Sequence, residues 1–193
     1  MADHGYATRP LGASTWDDFA ALVEAHDGVF GGCWCMGFHP EGFGKDPTPE
    51  RNRANKELRV REDRAHAALV YEGDACVGWC QFGVPDELPR IKNRRAYLDG
   101  LGDPPDLPDW RITCFFVAKG KRRQGVATAG LAGALALIAD RGGGVVESYP
   151  DDVDGRAGFI HNGTLAMFER LGFQRVRPIG KTRWVVRRTV DRA

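Results

Sequence analysis

The 193-residue sequence has no apolar run approaching the roughly 18 residues a membrane helix needs, and its first ten residues, Met1 to Pro10, are polar. Neither membrane insertion nor export is expected, and the reading places the chain in the cytoplasm with no membrane partner. Charge of one sign is not in excess either. Twenty-seven Lys and Arg stand against 26 Asp and Glu, a net of +1, so no overall field gathers nucleic acid and any basic site has to be local. The chain lacks a GxxxxGK(S/T) phosphate loop and a GxGxxG turn after a strand, which removes two common nucleotide-binding signatures. Internal repeats and low-complexity tracts are absent too.

Cysteine is scarce and odd in number. Cys33, Cys35, Cys76, Cys80 and Cys114 are expected to be reduced thiols, three of them inside apolar runs that read as strands. Cys33 and Cys35 with His39 invite a zinc reading. One residue between the thiols is tighter than structural zinc sites use, and no second ligand pair follows, so no metal is expected. What the chain has in ordinary amounts is apolar residue, 42%, and charged residue, 27%. Such a chain is expected to fold as a single domain, 1–193, without staples.

Trp16, Phe19, Ala20, Leu22 and Val23 recur at helical spacing after Thr15, a candidate N-cap, and predict a helix from Thr15 to His26. Gly31 to Pro49 is irregular yet aromatic, with Trp34, Phe38 and Phe43, and is expected to cover something. Pro49 to Arg64 is charged throughout and reads as a largely exposed helix. The apolar runs His66 to Tyr71 and Ala75 to Phe82 flank Glu72-Gly73-Asp74, an antiparallel hairpin. Gly83 to Asp109, proline-rich and basic, with a short helix near Asn93 to Leu101, is an insertion of the kind that carries function. Then follow a strand at Ile112 to Val117, a helix at Ala127 to Arg141 and a strand at Val145 to Tyr149. A short helix at Thr164 to Leu171 and strands at Phe173 to Val176 and Arg183 to Arg188 complete the order. The class is α/β or α+β with a mixed sheet.

The strand ITCFFV runs through the basic loop Lys119 to Gly125 into an apolar-faced helix. A helix N-terminus offers unpaired N–H groups and partial positive charge, and Gly125 and Ala127 leave room for a bulky anion such as a pyrophosphate. Lys119, Lys121, Arg122 and Arg123 add cations, one or two of which are placed to reach phosphate oxygens. An ordinary basic loop before a helix is the plain alternative.

Arg122-Arg123-Gln124-Gly125-Val126-Ala127 resembles the R/Q-x-x-G-x-G/A signature of the GNAT acetyltransferases. Asn162, Leu165, Phe168, Leu171, Gly172 and Phe173 resemble that family's late helix ending in a Gly-Phe pair, and the likeness extends over Ala65 to Arg188. The resemblance implies the GNAT-type acyl-CoA N-acyltransferase fold, a central mixed, mostly antiparallel sheet with a splay between its fourth and fifth strands, flanked by helices. It implies acetyl-CoA, or a longer acyl-CoA, as cosubstrate. Backbone around Phe116 and Val117 would then pair with the pantetheine arm. Arg122 and Arg123, with N–H groups of Gln124, Gly125, Val126, Ala127 and Thr128, would hold the pyrophosphate, and Asn162 and Phe168 would lie beside the arm and its thiol. Many relatives have tyrosine, the usual acid for the departing thiolate, where this chain has Phe168. A thiol of pKa about 8.5 is a tolerable leaving group near neutral pH without that acid.

Transfer to an amine needs a proton acceptor. Glu147, in an otherwise apolar strand, is the leading candidate, because a carboxylate near the splay would be desolvated and raised in pKa; an ion pair is the alternative reading of the same residue. His161 is the second candidate, with Asn162 expected to cap the helix after it. Tyr149 is either a substitute acid or a packing residue, and Asp151, Asp152 and Asp154 either attract a cationic amine or are solvated. Cys114 reads as an inert strand thiol. The acceptor pocket is expected between the aromatic segment Gly31 to Pro49 and the insertion Gly83 to Asp109. These features read together as an N-acetyltransferase acting on a primary amine, most simply that of a small molecule, by direct transfer, as monomer or homodimer. A non-catalytic acyl-CoA-binding regulatory module competes with it. A nucleic-acid binder rests only on Arg90 to Arg95 and Lys119 to Arg123, and the net charge opposes it.

Overall fold

Among residues 5–42, 48–152 and 160–193, which the computed structural model describes, seven strands pair into one sheet. They are β1 (Tyr6–Pro10), β2 (His66–Glu72), β3 (Ala75–Gly83), β4 (Trp110–Val117), β5 (Gly144–Ser148), β6 (Gln174–Pro178) and β7 (Trp184–Val190). The helices are α1 (Trp16–Glu24), α2 (Pro49–Arg61), α3 (Arg94–Leu98), α4 (Val126–Asp140) and α5 (Leu165–Arg170). Strand order is β1-β2-β3-β4-β5-β7-β6, antiparallel throughout except for the parallel β4–β5 pair. The expected mixed, mostly antiparallel sheet is therefore present. No helix among the described residues is long and apolar enough to cross a membrane. Phe43 and Asp154, named above, lie outside the described residues.

Two apolar layers cover the sheet. On one face α1, the Val29 to Phe38 segment and Val60 pack over Leu69, Tyr71, Trp79, Cys114 and Phe116. On the other, Leu131, Ala134, Leu135 and Ile138 of α4 and Leu165, Met167 and Phe168 of α5 pack over Cys80, Phe82, Ile112, Phe115, Val146 and Val186. Neighbours along β4 alternate between the two layers, so the strand is buried on both faces, as its continuous apolar sequence requires.

Two expectations are corrected. β1 was not among the expected elements: four of its five residues are exposed, so it carries no apolar alternation, and its backbone pairs with β2 from Tyr6↔Glu72 to Pro10↔Ala68. α2 forms where expected, but it is not largely exposed. Asn52, Lys56, Arg59 and Val60 make a buried stripe, in which polar groups do what apolar ones do elsewhere. Asn52 Nδ2 donates to the Gly32 carbonyl at 2.8 Å, and Arg59 clamps Glu41 through Nε and Nη2 at 3.0 and 2.6 Å. A reading by apolar periodicity does not see a helix face buried through hydrogen bonds.

The feature that positions the site is the short contact between β4 and β5. Only Trp110↔Val146, Arg111↔Glu147 and Ile112↔Ser148 pair, with Ser148 Oγ donating to the Ile112 carbonyl at 2.8 Å. β4 continues to Val117 with no strand on that side among the described residues. Against its other edge, Gly78 of β3 lets the strand and α4 close up: a Cβ there would stand 2.6 Å from the Phe116 carbonyl oxygen and 2.8 Å from Val126 Cγ1. Because one of these atoms is backbone, Gly78→Ala is expected to lower stability by about 1–3 kcal/mol, measured as a lower urea midpoint at unchanged m value. An unaltered midpoint would show that the close approach is not needed.

Candidate active site

The loop between β4 and α4 is shaped for an anion. Arg123 and Gly125 both have left-handed backbone, φ 61° and 90°, so successive N–H groups turn inward ahead of the helix. The first helical bond runs from Ala129 N–H to the Gly125 carbonyl, which leaves the N–H groups of Val126, Ala127 and Thr128 without helical acceptors. They open into a cleft of about 800 Å³ lined by Val117, Lys121, Arg122, Arg123, Gln124 and Gly125 among others. Arg122 and Arg123 are exposed, while Lys121 is paired with Glu72. Gln124 Nε2 closes the loop on the Gly120 carbonyl at 2.8 Å. A residue the sequence reading passed over anchors it: His26 donates from Nδ1 to the Leu22 carbonyl at 2.8 Å and accepts the Lys119 N–H on Nε2 at 3.1 Å.

Along β4 the backbone alternates in direction. Ala118 N–H bonds the Val77 carbonyl of β3, whereas Phe115 N–H points into the splay and bonds the His161 carbonyl at 2.7 Å. By the same alternation the N–H and C=O of Val117 face the splay and those of Phe116 face β3. Of the two residues expected to offer backbone to a ligand, Val117 is the one so placed; Phe116 contributes its ring, stacked on Trp79 with centroids 4.8 Å apart. Next to His161, the fully buried Asn162 has neither amide nitrogen nor oxygen hydrogen-bonded. Buried polar atoms are rarely left so, and a bound amide-bearing arm would satisfy both. The helix cap expected at Asn162 is supplied instead by Thr164, whose Oγ1 accepts the Met167 N–H at 3.4 Å.

A second cavity, about 600 Å³, opens further back along the same strand. Its walls come from the two irregular segments, Cys33, Cys35 and Phe38 on one side and Arg90, Ile91 and Lys92 on the other, with Phe30, Cys114 and His161 between them. The lining is apolar and cationic, with no carboxylate among the described residues. Burial, then the charges of Lys92 and Arg183, push the His161 pKa down to about 4 against the pull of Asp151, so its imidazole is neutral at physiological pH.

Glu147 lies elsewhere. It is fully buried in the β5 ladder and lines neither cavity. Its Oε1 accepts from the Tyr149 hydroxyl and its Oε2 from Arg187 Nε, each at 2.7 Å, and Arg187 also pairs with Asp106. Tyr149 is held by the same bond, with its ring edge-on to Tyr97. Phe168, in the place of the family tyrosine, is wholly buried between Phe115 and Phe173. Asp151 is clamped by Arg183 and Asp152 pairs with Arg175, so neither is a free attractor for a cation.

Beneath the second cavity lies a buried polar chain with no counterpart in the sequence reading. His39 donates from Nδ1 to the Glu87 carbonyl at 3.0 Å, which leaves Nε2 to accept from Lys56 Nζ at 3.1 Å; Lys56 also donates to Gln81 Oε1 at 3.2 Å. Burial, then the nearby charges of Lys56 and Arg59, hold His39 well below the usual histidine range.

The interrupted pairing of the fourth and fifth strands, with a helix opening at the end of the fourth, defines a GNAT-type acyltransferase fold. The chain matches the acetyltransferase (GNAT) family over residues 32–173 and belongs to it. Among solved structures it is similar to one from Corynebacterium glutamicum described as histone acetyltransferase HPA2 and related acetyltransferase. That match has 17% identity, covers 98% of this chain and 97% of the other, and gives a TM-score of 0.55. It is also similar to yncA of Salmonella typhimurium, solved with its cofactor acetyl-CoA, at 11% identity over 98% and 96% of the two chains, TM-score 0.55. At these identities the likeness is one of fold. No curated protein matches the chain.

Two predictions follow from the buried groups. Glu147→Ala leaves the Arg187 guanidinium and the Tyr149 hydroxyl without their shared acceptor and is expected to cost about 3 kcal/mol; a urea midpoint within error of wild type would contradict the pairing. The histidines set the acid behaviour. Unfolded, they take up protons near pH 6.5, whereas folded His161 does so only at about 4 and folded His39 is likewise held well below its ordinary range. Between those limits the unfolded chain binds more protons, so stability is complete above about pH 6.5 and declines as pH falls toward 4. Urea midpoints at half-unit steps test this, and a flat profile from pH 6.5 to 5 would refute it.

Proposed function

We propose that the protein is an N-acetyltransferase that moves an acetyl group from acetyl-CoA to the primary amine of a small molecule, by direct transfer within a ternary complex. One observation carries this reading: the basic cleft and the apolar cavity are both lined from β4, the first by Val117 and the second by Cys114. The two positions are three residue steps apart along the strand, roughly 10 Å. The α4 N-terminus with Arg122 and Arg123 would hold the pyrophosphate, the Val117 backbone and the Asn162 amide would hold the pantetheine arm, and the acyl group would arrive at the cavity. The acetyl-CoA found with yncA supports this choice of donor.

Within the cavity, His161 is the group we assign to take the proton from the attacking amine, since it is neutral and lies between splay and cavity. Glu147 is assigned a structural role because both its oxygens already accept charge-assisted or hydroxyl hydrogen bonds. Among the described residues no acid takes the place of the family tyrosine at Phe168, and the coenzyme thiolate leaves unprotonated, which its pKa of about 8.5 tolerates. Arg90 and Lys92, with no carboxylate among the described lining residues, favour an acceptor that carries a carboxylate or phosphate and disfavour a polyamine.

The test is thiol release from acetyl-CoA against a panel of amines. Anionic amines are expected to give kcat/KM up to about fivefold above polyamines, the effect of an ion pair of up to ~1 kcal/mol, and His161→Gln is expected to lower kcat by about 10²-fold. A polyamine preference would overturn the acceptor class. Binding of acetyl-CoA with no amine-dependent release would favour a non-catalytic acyl-CoA-binding module, the reading to which Phe168 lends weight.

A further inference from the structure

We infer that Cys35 and Cys114 are a peroxide-oxidisable dithiol built into the wall of the apolar cavity, closing to a disulfide that ties the Gly28 to Gly42 segment to β4. Their sulfurs are 2.7 Å apart and share a hydrogen bond, although 79 residues separate them in the chain. Both side chains are sealed from bulk solvent, 1% and 2% exposed, yet both line the cavity, so a small oxidant reaches them by that route. The segment arrives at β4 with Trp34 and Cys35 both left-handed, φ 46° and 56°. Residues other than glycine keep that conformation only where their surroundings impose it. Here Trp34 stacks on Trp16, and Asn52 holds the Gly32 carbonyl.

Lys56 supplies the second, independent observation. It is a buried cation, 1% exposed, whose hydrogen-bond partners are the neutral His39 ring and the Gln81 amide oxygen, and no carboxylate pairs with it among the described residues. A buried ammonium without a counter-charge is costly. The Cys35 thiolate is the anion within its reach. Burial opposes that charge, but the Cys114 hydrogen bond, the Lys56 charge and the Trp79 indole outweigh it and hold Cys35 below the ordinary thiol range. The Trp79 N–H is itself buried, with no acceptor but Cys35 at hand among the described residues. Cys35 is alone in this among the five cysteines: burial pushes Cys33 and Cys76 up to about 11 and Cys80 well above its usual value, and the bond to Cys35 raises Cys114.

The chemistry balances with hydrogen peroxide as oxidant. The Cys35 thiolate attacks one peroxide oxygen, the O–O bond breaks, and hydroxide leaves behind a sulfenic acid. The Cys114 sulfur then attacks the Cys35 sulfur, the S–O bond breaks, and the departing hydroxide leaves as water with the Cys114 proton. In sum, two thiols and one peroxide give one disulfide and two waters.

The experiment treats the native protein with a small excess of hydrogen peroxide, alkylates after denaturation, and maps the peptides by mass spectrometry. Two of the five thiols are expected to disappear with a mass loss of about 2 Da, in a peptide pair joining Cys35 to Cys114 that dithiothreitol separates again. Lys56→Met is expected to slow the loss by about tenfold through a smaller thiolate fraction, and Cys76→Ser to leave it unchanged. Five alkylatable thiols after treatment, a Cys33–Cys35 bridge, or oxidation first at Cys76 would each overturn the inference. The wild-type map decides it without any variant, and it does not depend on which amine, if any, the cavity accepts.

Discussion

The β4 and β5 strands part after three residue pairs, and the rest of the site is an answer to that divergence. A strand edge inside a protein carries N–H and C=O groups that have to be met by something. Past Ile112 the edge of β4 has only one such partner among the described residues, the His161 carbonyl at Phe115 N–H. Val117 faces the gap, Asn162 waits beside it with an unbonded amide, and α4 begins where the strand ends, its own first N–H groups also without helical acceptors. Three kinds of unmatched polar group therefore converge on one line. Such a line suits an extended, amide-bearing, phosphate-ended ligand better than it suits water.

How much of this was legible in the sequence follows from how local each signal is. The basic loop Arg122 to Thr128 was readable because an anion cradle is made of consecutive residues, with glycine where the backbone turns left-handed. The hairpin, β4 and α4 were readable from apolar runs and periodicity. Glu147 was recognised as unusual in its strand, but the choice between base and ion pair depended on Arg187, forty residues on in β7, which no spacing rule connects to it. Thr164 rather than Asn162 caps α5 because the cap is decided by which side chain the first turn presents to it, a matter of one turn's geometry.

The least legible part is the polar interior beneath the second cavity. Lys56 sits in a helix whose composition reads as solvent-facing, and its burial is possible only because His39, Gln81 and the neighbouring thiols come from three other places in the chain. Polar residues buried through mutual hydrogen bonds leave no hydrophobic trace, and each half of such a network is uninterpretable without the other. The two irregular segments that wall the cavity were nonetheless recognisable as walls: Gly31 to Pro49 carries too many aromatics for a free linker, and Gly83 to Asp109 is too long and proline-rich for a plain connection. Their sequence announced that something is covered, and the fold supplies what.

The central claim is that the α4 N-terminus and the β4 edge form one coenzyme site, and calorimetric titration of acetyl-CoA into wild type and Gly125→Asp tests it most directly. Gly125 is left-handed at the mouth of the cleft, so the variant both resists that turn and sets a carboxylate where the pyrophosphate would lie. The account predicts micromolar binding by the wild type and none by the variant under conditions where both are folded. Equal binding by the two, or none by a folded wild type, would contradict it.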